Sequence, residues 1–371
     1  MASTVKTAKT RASADVAAAP AGGPQRGWTS RTARIVTVVV LLAVPLFSTP
    51  QWQAIAVFSA ISAIAALGLH VLTGLAGQVS LGHSAFVAVG GYTAIWLGAD
   101  QGLPIWVWLP AAGLVSAAVG LLVVPFAARL RGLYLAVVTL AVLFVAEWLW
   151  DVWDGLTGGS KGRPAQSVEL FGHDLLDDVI AGPFMLTGDQ QFFYLACAVL
   201  AVAAVAARNL SRTRPGRAFA AIRDRDLTAG VVGVPVARMK SAAFGVAAAY
   251  AGLAGALLVS YQTYAVPDQW DLMMSVELLA IIIIGGVGSL RGAIAGAVFV
   301  TAIPQVVTLL AGVVPGISTT PSAGGGVSVD VLANCLYGLA IVAVLVFEPR
   351  GLAGISERVL NAAGRKGRSH A

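Results

Sequence analysis

The sequence predicts an all-α fold: a polytopic transmembrane helical bundle of about ten spans with both termini in the cytoplasm. Three observations carry that expectation. Hydrophobic residues make up 57% of the chain and charged residues 11%, against roughly 25% charged in an ordinary soluble domain. The charges gather between long apolar runs that carry almost none themselves, because a charge at mid-bilayer costs roughly 3 kcal/mol at the least. Basic and acidic residues also divide between alternate loops.

Residues 1–32 are Ala, Thr, Ser, Gly and Pro with scattered Lys and Arg. Such a segment is too polar to bury a core and is expected to be a disordered cytoplasmic tail. The apolar run from Ile35 to Phe47 follows this long polar leader, lacks an A-x-A cleavage pattern and is succeeded by further spans, so it reads as a retained first helix. A bilayer core of about 30 Å needs on the order of 20 apolar residues per helix, fewer where a helix is short or broken. Candidate spans lie at 33–48, 52–72, 83–99, 104–128, 132–150, 191–207, 241–261, 273–289, 293–314 and 331–347. The membrane domain is therefore 33–347, followed by a cytoplasmic tail at 348–371.

With the N-terminus inside, segments 73–82, 129–131, 208–240, 290–292 and 348–371 face the cytoplasm and collect nearly all Lys and Arg. The extracytoplasmic loop 151–190 holds Asp151, Asp154, Glu169, Asp174, Asp177, Asp178 and Asp189 against Lys161 and Arg163. Trp28, Trp52, Trp96, Trp106, Trp108, Trp148, Trp150, Trp153 and Trp270 lie near predicted helix ends, where interfacial aromatics anchor to lipid. The net charge of +6 resides in a few loops rather than on an amphipathic surface, which points to membrane lipid and not to nucleic acid. Cys197 and Cys335 sit in apolar segments and read as small hydrophobes. His70, His83, His173 and His370 share no ligand spacing, so no metal is expected and no cofactor.

Three stretches depart from plain hydrophobic helix. In Gly74-Leu-Ala-Gly-Gln-Val-Ser-Leu-Gly-His83, glycine allows irregular backbone and close helix approach, while Gln78, Ser80 and His83 supply polar groups. Irregular backbone at membrane depth survives only where it is buried in protein or lines a wet cavity. Gly74, Gly77, Gln78, Ser80, Gly82 and His83 are thus candidates for the translocation pathway, with a cytoplasmic turn of packing residues as the alternative. The second stretch is Ile284-Gly-Gly-Val-Gly-Ser-Leu-Arg-Gly292, where Gly285, Gly286, Gly288 and Ser289 mark either tight packing or a gate.

The third is the basic loop 208–240. Pro215-Gly216 is expected to turn, Arg217 to Arg223 to form a short helix, and Asp224 or Asp226 to cap a second one from Leu227 to Val232. Gly233 and Pro235 should end it. The product is either a compact amphipathic element at the membrane surface or a solvated basic loop near anionic lipid. Gly77-Gln-Val-Ser-Leu81 and Gly286-Val-Gly-Ser-Leu290 also resemble one another, each at a helix-to-helix break.

The stretch from Gly74 to His83, Arg129-Leu-Arg-Gly-Leu-Tyr-Leu135, Thr157-Gly-Gly-Ser-Lys-Gly162, Gly216-Arg-Ala-Phe-Ala-Ala-Ile-Arg223 through Gly233, Gly285-Gly-Val-Gly-Ser-Leu290 and Glu348-Pro-Arg-Gly-Leu352 occur in that order. Together they resemble the permease subunits of the branched-chain amino acid family of ATP-binding cassette importers, particularly the larger permease type. The resemblance implies transport of branched-chain amino acids, or of urea, short amides or other small solutes that family members carry. It also implies cytoplasmic ATP-binding subunits, a second permease subunit of different sequence and an extracytoplasmic solute-binding protein. By resemblance, loop 217–238 is the coupling loop that docks the ATPase, with Arg217, Arg223, Asp224, Arg225, Asp226 and Gly233 as its coupling residues.

The sequence departs from the family pattern at Leu133, where an acidic residue is common, and at Phe144, where a Glu is; Glu147 stands one helical turn further on. The chain has no G-x-x-x-x-G-K-[ST] phosphate loop, so ATP hydrolysis falls to partner subunits and the chain itself is not expected to be an enzyme. An ion-coupled secondary transporter would need buried ionisable residues, for which Glu147 and Glu277, near predicted outer helix ends, are the candidates.

Overall fold

The computed structural model describes residues 49–127, 133–170, 172–181, 184–311, 317–318, 327–347 and 351–354. The first predicted span at 33–48, Arg129 and Arg131 lie outside these residues, as do the N-terminal tail and most of the C-terminal one. Helix α1 (Pro50–Leu69) continues through a π-helical turn, His70–Leu75, and α2 (His83–Ala94) through another, Ile95–Asp100. They are followed by α3 (Ile105–Ala127), α4 (Leu133–Val152), α5 (Gly188–Arg212) and α6 (Arg214–Val231). The chain then forms α7 (Val236–Gln262), α8 (Leu272–Gly285), α9 (Leu290–Ala311) and α10 (Val329–Phe347).

Among the described residues six helices are long and apolar enough to cross a membrane: α1 with its π turn, and stretches of α3, α4, α5, α7 and α9. Local chemistry sets several starts. Pro50 occupies the first turn of α1, where its missing N–H costs nothing. Thr187 and Gln190 form a reciprocal capping box on α5, the Thr hydroxyl accepting from the Gln190 N–H at 3.4 Å and the Gln side chain from the Thr187 N–H at 3.3 Å. Asp271 caps α8 by accepting from the Met274 N–H at 2.9 Å.

The fold is built around α7, against which α1, α2 and α3 pack. Within the apolar windows of α1 and α7, 78% and 72% of residues are buried, against 28–35% for the other four, so these two form the interior and the rest expose an apolar flank. Lipid supplies little hydrophobic drive between helices, so small residues that let backbones touch must supply dispersion contacts instead. A Cβ on Gly90 of α2 would overlap the Gly252 carbonyl and Cα of α7, and one on Gly255 would overlap the Val87 carbonyl. Two hydroxyls pin neighbours to this core: Ser116 donates to the Phe86 carbonyl at 3.0 Å, and Tyr250 to the Ala203 carbonyl at 2.9 Å.

Loops gather at two opposite ends of the helices. At one end, Arg163 pairs in a two-residue ladder with Ala265, and its guanidinium bonds Asp100 at 2.6 Å, tying loop 153–187 to the α7–α8 connection and the end of α2. At the other lie residues 76–82, α6, the Gly286–Ser289 break and residues 351–354.

Two expectations need correction. Trp52, Trp96, Trp106, Trp148 and Trp153 are exposed as lipid anchors should be, but Trp108, Trp150 and Trp270 are only 4%, 7% and 0% exposed. Trp150 and Trp270 instead flank Tyr92, with ring centroids 5.3 and 6.1 Å away, and a Cβ on Gly91 would press into Trp270. Position near a helix end does not say which face a residue occupies. The span expected at 273–289 ends at Gly285, because Gly286 and Gly288 adopt φ of +109° and +89°, which right-handed helix excludes.

Candidate translocation and coupling site

The two glycine-rich stretches and the basic segment, far apart in sequence, meet at one point. The π turn of α1 releases into an irregular segment, where Thr73 Oγ1 donates to the Gln78 carbonyl at 3.0 Å and Gly77 takes φ +68°. A side chain at Gly77 would be strained by that φ and also blocked, since its Cβ would lie 2.8 Å from Arg223 Cγ. The segment is held on its other flank by Thr139 of α4, whose hydroxyl accepts from the Leu81 N–H at 2.9 Å. Ser84, in the first turn of α2, bonds Ser275 of α8 through its N–H at 3.0 Å and its hydroxyl at 2.7 Å.

The break between α8 and α9 lies against this segment. A Cβ on Gly74 would stand 3.0 Å from the Gly288 nitrogen and 3.1 Å from its Cα. Gly351, with φ +64°, closes on the same break from the C-terminal side, within 2.5 Å of the Gly286 nitrogen were it to carry a Cβ. The two look-alike segments therefore touch one another as well as both breaking helices.

Over this crossing lies α6. Most of the expected loop is helix: α5 runs to Arg212, and α6 starts at Arg214 with Thr213 accepting from the Gly216 N–H at 3.4 Å. Pro215-Gly216 thus sits inside the first turn and does not make a separate turn, since proline fits the opening positions of a helix. The helix breaks at Arg225, whose φ −157° and ψ 99° are extended, between the two aspartates where the sequence put the boundary. It ends at Val231, with Gly233 at φ +91° and the Val234 N–H reaching back to the Ala229 carbonyl at 3.0 Å, a Schellman-type stop.

The two halves of α6 are held differently. Arg223 Nη1 donates to the Gly74 carbonyl at 2.8 Å, and its Nε faces Asp224 Oδ1 at 3.4 Å. Beyond the break, Asp226 pairs with Lys240 in the first turns of α7 at 3.4 Å, with side chains only 19% and 8% exposed. Phe219 and Ile222 are buried, whereas Leu227, Val231 and Val232 are 67%, 88% and 79% exposed. A cavity of about 270 Å³ opens between the break and α6, lined by Gly77, Gln78, Leu135, Arg223, Asp226 and Lys240 among others.

Of the residues expected on a pathway, Gly77 and Gln78 line this cavity. Gly74 and Gly288 form the backbone crossing, and Gly285 packs against Gly292 of α9. Gly82 lies against the Thr139 carbonyl, and buried Ser80 accepts from the Gly82 N–H at 3.4 Å. His83, 1% exposed, donates from Nε2 to the Ala65 carbonyl at 3.3 Å. Ser289 accepts from the Gly292 N–H at 3.1 Å, opening α9. Of the coupling residues, Arg217, Asp224 and Arg225 are exposed; Arg223 is partly exposed but directs its guanidinium to Gly74, and Asp226 turns to Lys240. Sequence reasoning missed Lys240, Thr139, Ser275 and the apolar stripe at Leu227, Val231 and Val232. Lys240 was visible as a charge opening an apolar run; lone hydroxyls in apolar spans carried no comparable signal.

Residues 52–345 match the family model described as branched-chain amino acid transport system / permease component. The chain belongs to this family. The high-affinity branched-chain amino acid transport system permease protein LivM of Salmonella typhimurium is 34% identical over 274 residues, covering 70% of this chain and 64% of that protein. LivM of Escherichia coli is 34% identical over 268 residues, 69% and 63% of the two chains. The autoinducer 2 import system permease protein LsrC of an Enterobacter species is 36% identical over 121 residues, 31% of this chain and 35% of its own. The match thus spans somewhat less than two thirds of the length of the LivM relatives. No solved structure matches the chain.

Proposed function

We propose that the chain is the membrane-spanning permease subunit of an ATP-binding cassette importer for small polar solutes, with branched-chain amino acids as the first solutes to test. It would lie in the plasma or inner membrane and cross it about ten times with both termini inside. Its partners would be cytoplasmic ATP-binding subunits, a second permease chain of different sequence and an extracytoplasmic solute-binding protein.

The observation that carries this reading is α6. At the end of the bundle that collects the basic loops, this helix leaves Leu227, Val231 and Val232 exposed on its second half while its first half is anchored on the glycine crossing. An exposed apolar stripe rimmed by charge is how a docking surface for another protein is built. A partner pair that closes on ATP would move α6, and α6 touches both irregular segments that separate transmembrane helices. That closure would bias the bundle between outward-open and inward-open arrangements, through contacts that differ between the two. The two LivM relatives carry branched-chain amino acids in their names, and the LsrC relative carries autoinducer 2.

The test is ATP-dependent uptake into proteoliposomes holding the chain with candidate partner subunits, against a panel of leucine, isoleucine, valine, urea and acetamide. Uptake of the three branched-chain amino acids, dependent on ATP inside, is the expected result. Uptake that persists without the ATP-binding subunits and follows an ion gradient would replace this reading with secondary transport.

A further inference from the structure

We infer that Arg223 is an internal strut that passes movement of α6 to the glycine crossing, and not a contact with the docked partner. The inference rests on the reading of α6 as the coupling element and assigns a task within it. Three observations carry it. Arg223 Nη1 donates to the main-chain carbonyl of Gly74 at 2.8 Å, a charge-assisted bond to backbone and not to a movable side chain. The stem of the same residue fills the space over Gly77, where a Cβ would come within 2.8 Å of Arg223 Cγ and 3.1 Å of its Cα. The guanidinium also reaches the second break, since a Cβ on Gly288 would lie 3.7 Å from Nη1.

One side chain therefore touches both irregular segments that join transmembrane helices at this end. Its Nε and Nη2 edge faces Asp224, so each donor edge of the guanidinium is directed to a group of this chain. The main-chain break at Arg225 separates this tethered half from the second half, which has its own tether through Asp226 and Lys240 to the central helix α7. A push on the exposed stripe of the second half thus reaches α7 through one link and the α1–α2 break through the other.

The strut predicts a particular failure: uncoupling without undocking. In the reconstituted complex, Arg223→Met keeps the length and loses the donor. Its ATP-binding subunits should co-purify as with the natural chain, while solute moved per ATP hydrolysed falls roughly tenfold or more, the scale of one lost charge-assisted hydrogen bond. Solute KM should hold and the maximal rate should fall. Arg223→Lys, which restores a donor, should recover part of the coupling. Co-purification lost to the extent seen with Leu227→Asp would make Arg223 a docking contact and overturn the inference, as would a natural transport ratio in Arg223→Met.

If Arg223→Met does not accumulate in the membrane, spin labels on cysteines at exposed Val79 and Asp224 decide the matter. Their separation should stay constant between nucleotide-free and ATP-trapped complexes, because the strut moves the break and the first half of α6 together; a changed separation would sink it. If the natural chain itself binds no ATP-binding subunit, the proposed function fails first, and that outcome is read from the unsubstituted control.

Discussion

Helices α6 and α7 follow one another in the chain and are built for opposite surroundings. In α7 the small residues Gly245, Ala247, Ala248, Ala251, Gly252, Ala254, Gly255 and Ala256 are all buried, and backbone meets backbone across its faces. In α6 charged residues dominate, most side chains face outward, and the helix is interrupted at Arg225. The difference teaches where rigidity and movement belong: α7 holds three neighbours at fixed separation, while α6 is fastened at two points with a main-chain break between them.

Substitutions can break that contrast, beginning with the core. Gly255→Leu should have the largest effect, since even a Cβ there overlaps the Val87 carbonyl and no side-chain rotation relieves a clash with backbone. Overpacking of this kind costs about 1–3 kcal/mol where the surroundings can yield, and more against backbone. The protein should be lost from the membrane or run as aggregate in detergent size-exclusion chromatography.

A middle-sized effect is expected on the exposed half of α6. Leu227→Asp or Val231→Asp should leave insertion and detergent behaviour unchanged, because both side chains are largely exposed on this chain. Affinity for the ATP-binding subunits should fall by about 1–3 kcal/mol, or roughly tenfold to a hundredfold, measured by co-purification or biolayer interferometry.

The smallest effect belongs to Gly233. Its φ of +91° disfavours any side chain, yet a Cβ there would meet nothing within 4 Å, so conformation alone is at stake. Gly233→Val should destabilise the stop of α6 by about 1–2 kcal/mol, and Gly233→Asn, which tolerates left-handed backbone better, by less. Hydrogen exchange of the α6 amides reads the ordering: fastest with Val, intermediate with Asn, slowest with Gly.

Much of this architecture was legible because membrane burial writes itself into composition. The apolar runs at 52–72, 83–99 and 241–261 reappear as α1, α2 and α7 with bounds shifted by a few residues. Glycine clusters at 74–82 and 285–288 marked breaks, since left-handed backbone selects glycine whatever surrounds it. Facing was not legible. Trp150 and Trp270 looked like anchors and are core, while Val231 and Val232 looked like ordinary apolar residues and are exposed. Nor could one sequence show that Arg223 reaches Gly74, 149 positions away, because that contact depends on how α6 lies over the crossing.

The account stands on α6 lying in the cytoplasm under a bound partner, and sided thiol labelling tests that most directly. In a background with Cys197 and Cys335 replaced by alanine, single cysteines are placed at Asp177 and at Arg225, both at exposed positions. A membrane-impermeant maleimide should label Asp177→Cys in right-side-out vesicles alone and Arg225→Cys in inside-out vesicles alone. Bound ATP-binding subunits should then protect Arg225→Cys. Labelling of both positions from one side, or of Arg225→Cys at an unaltered rate with the subunits bound, would contradict the assignment of α6 as the coupling helix.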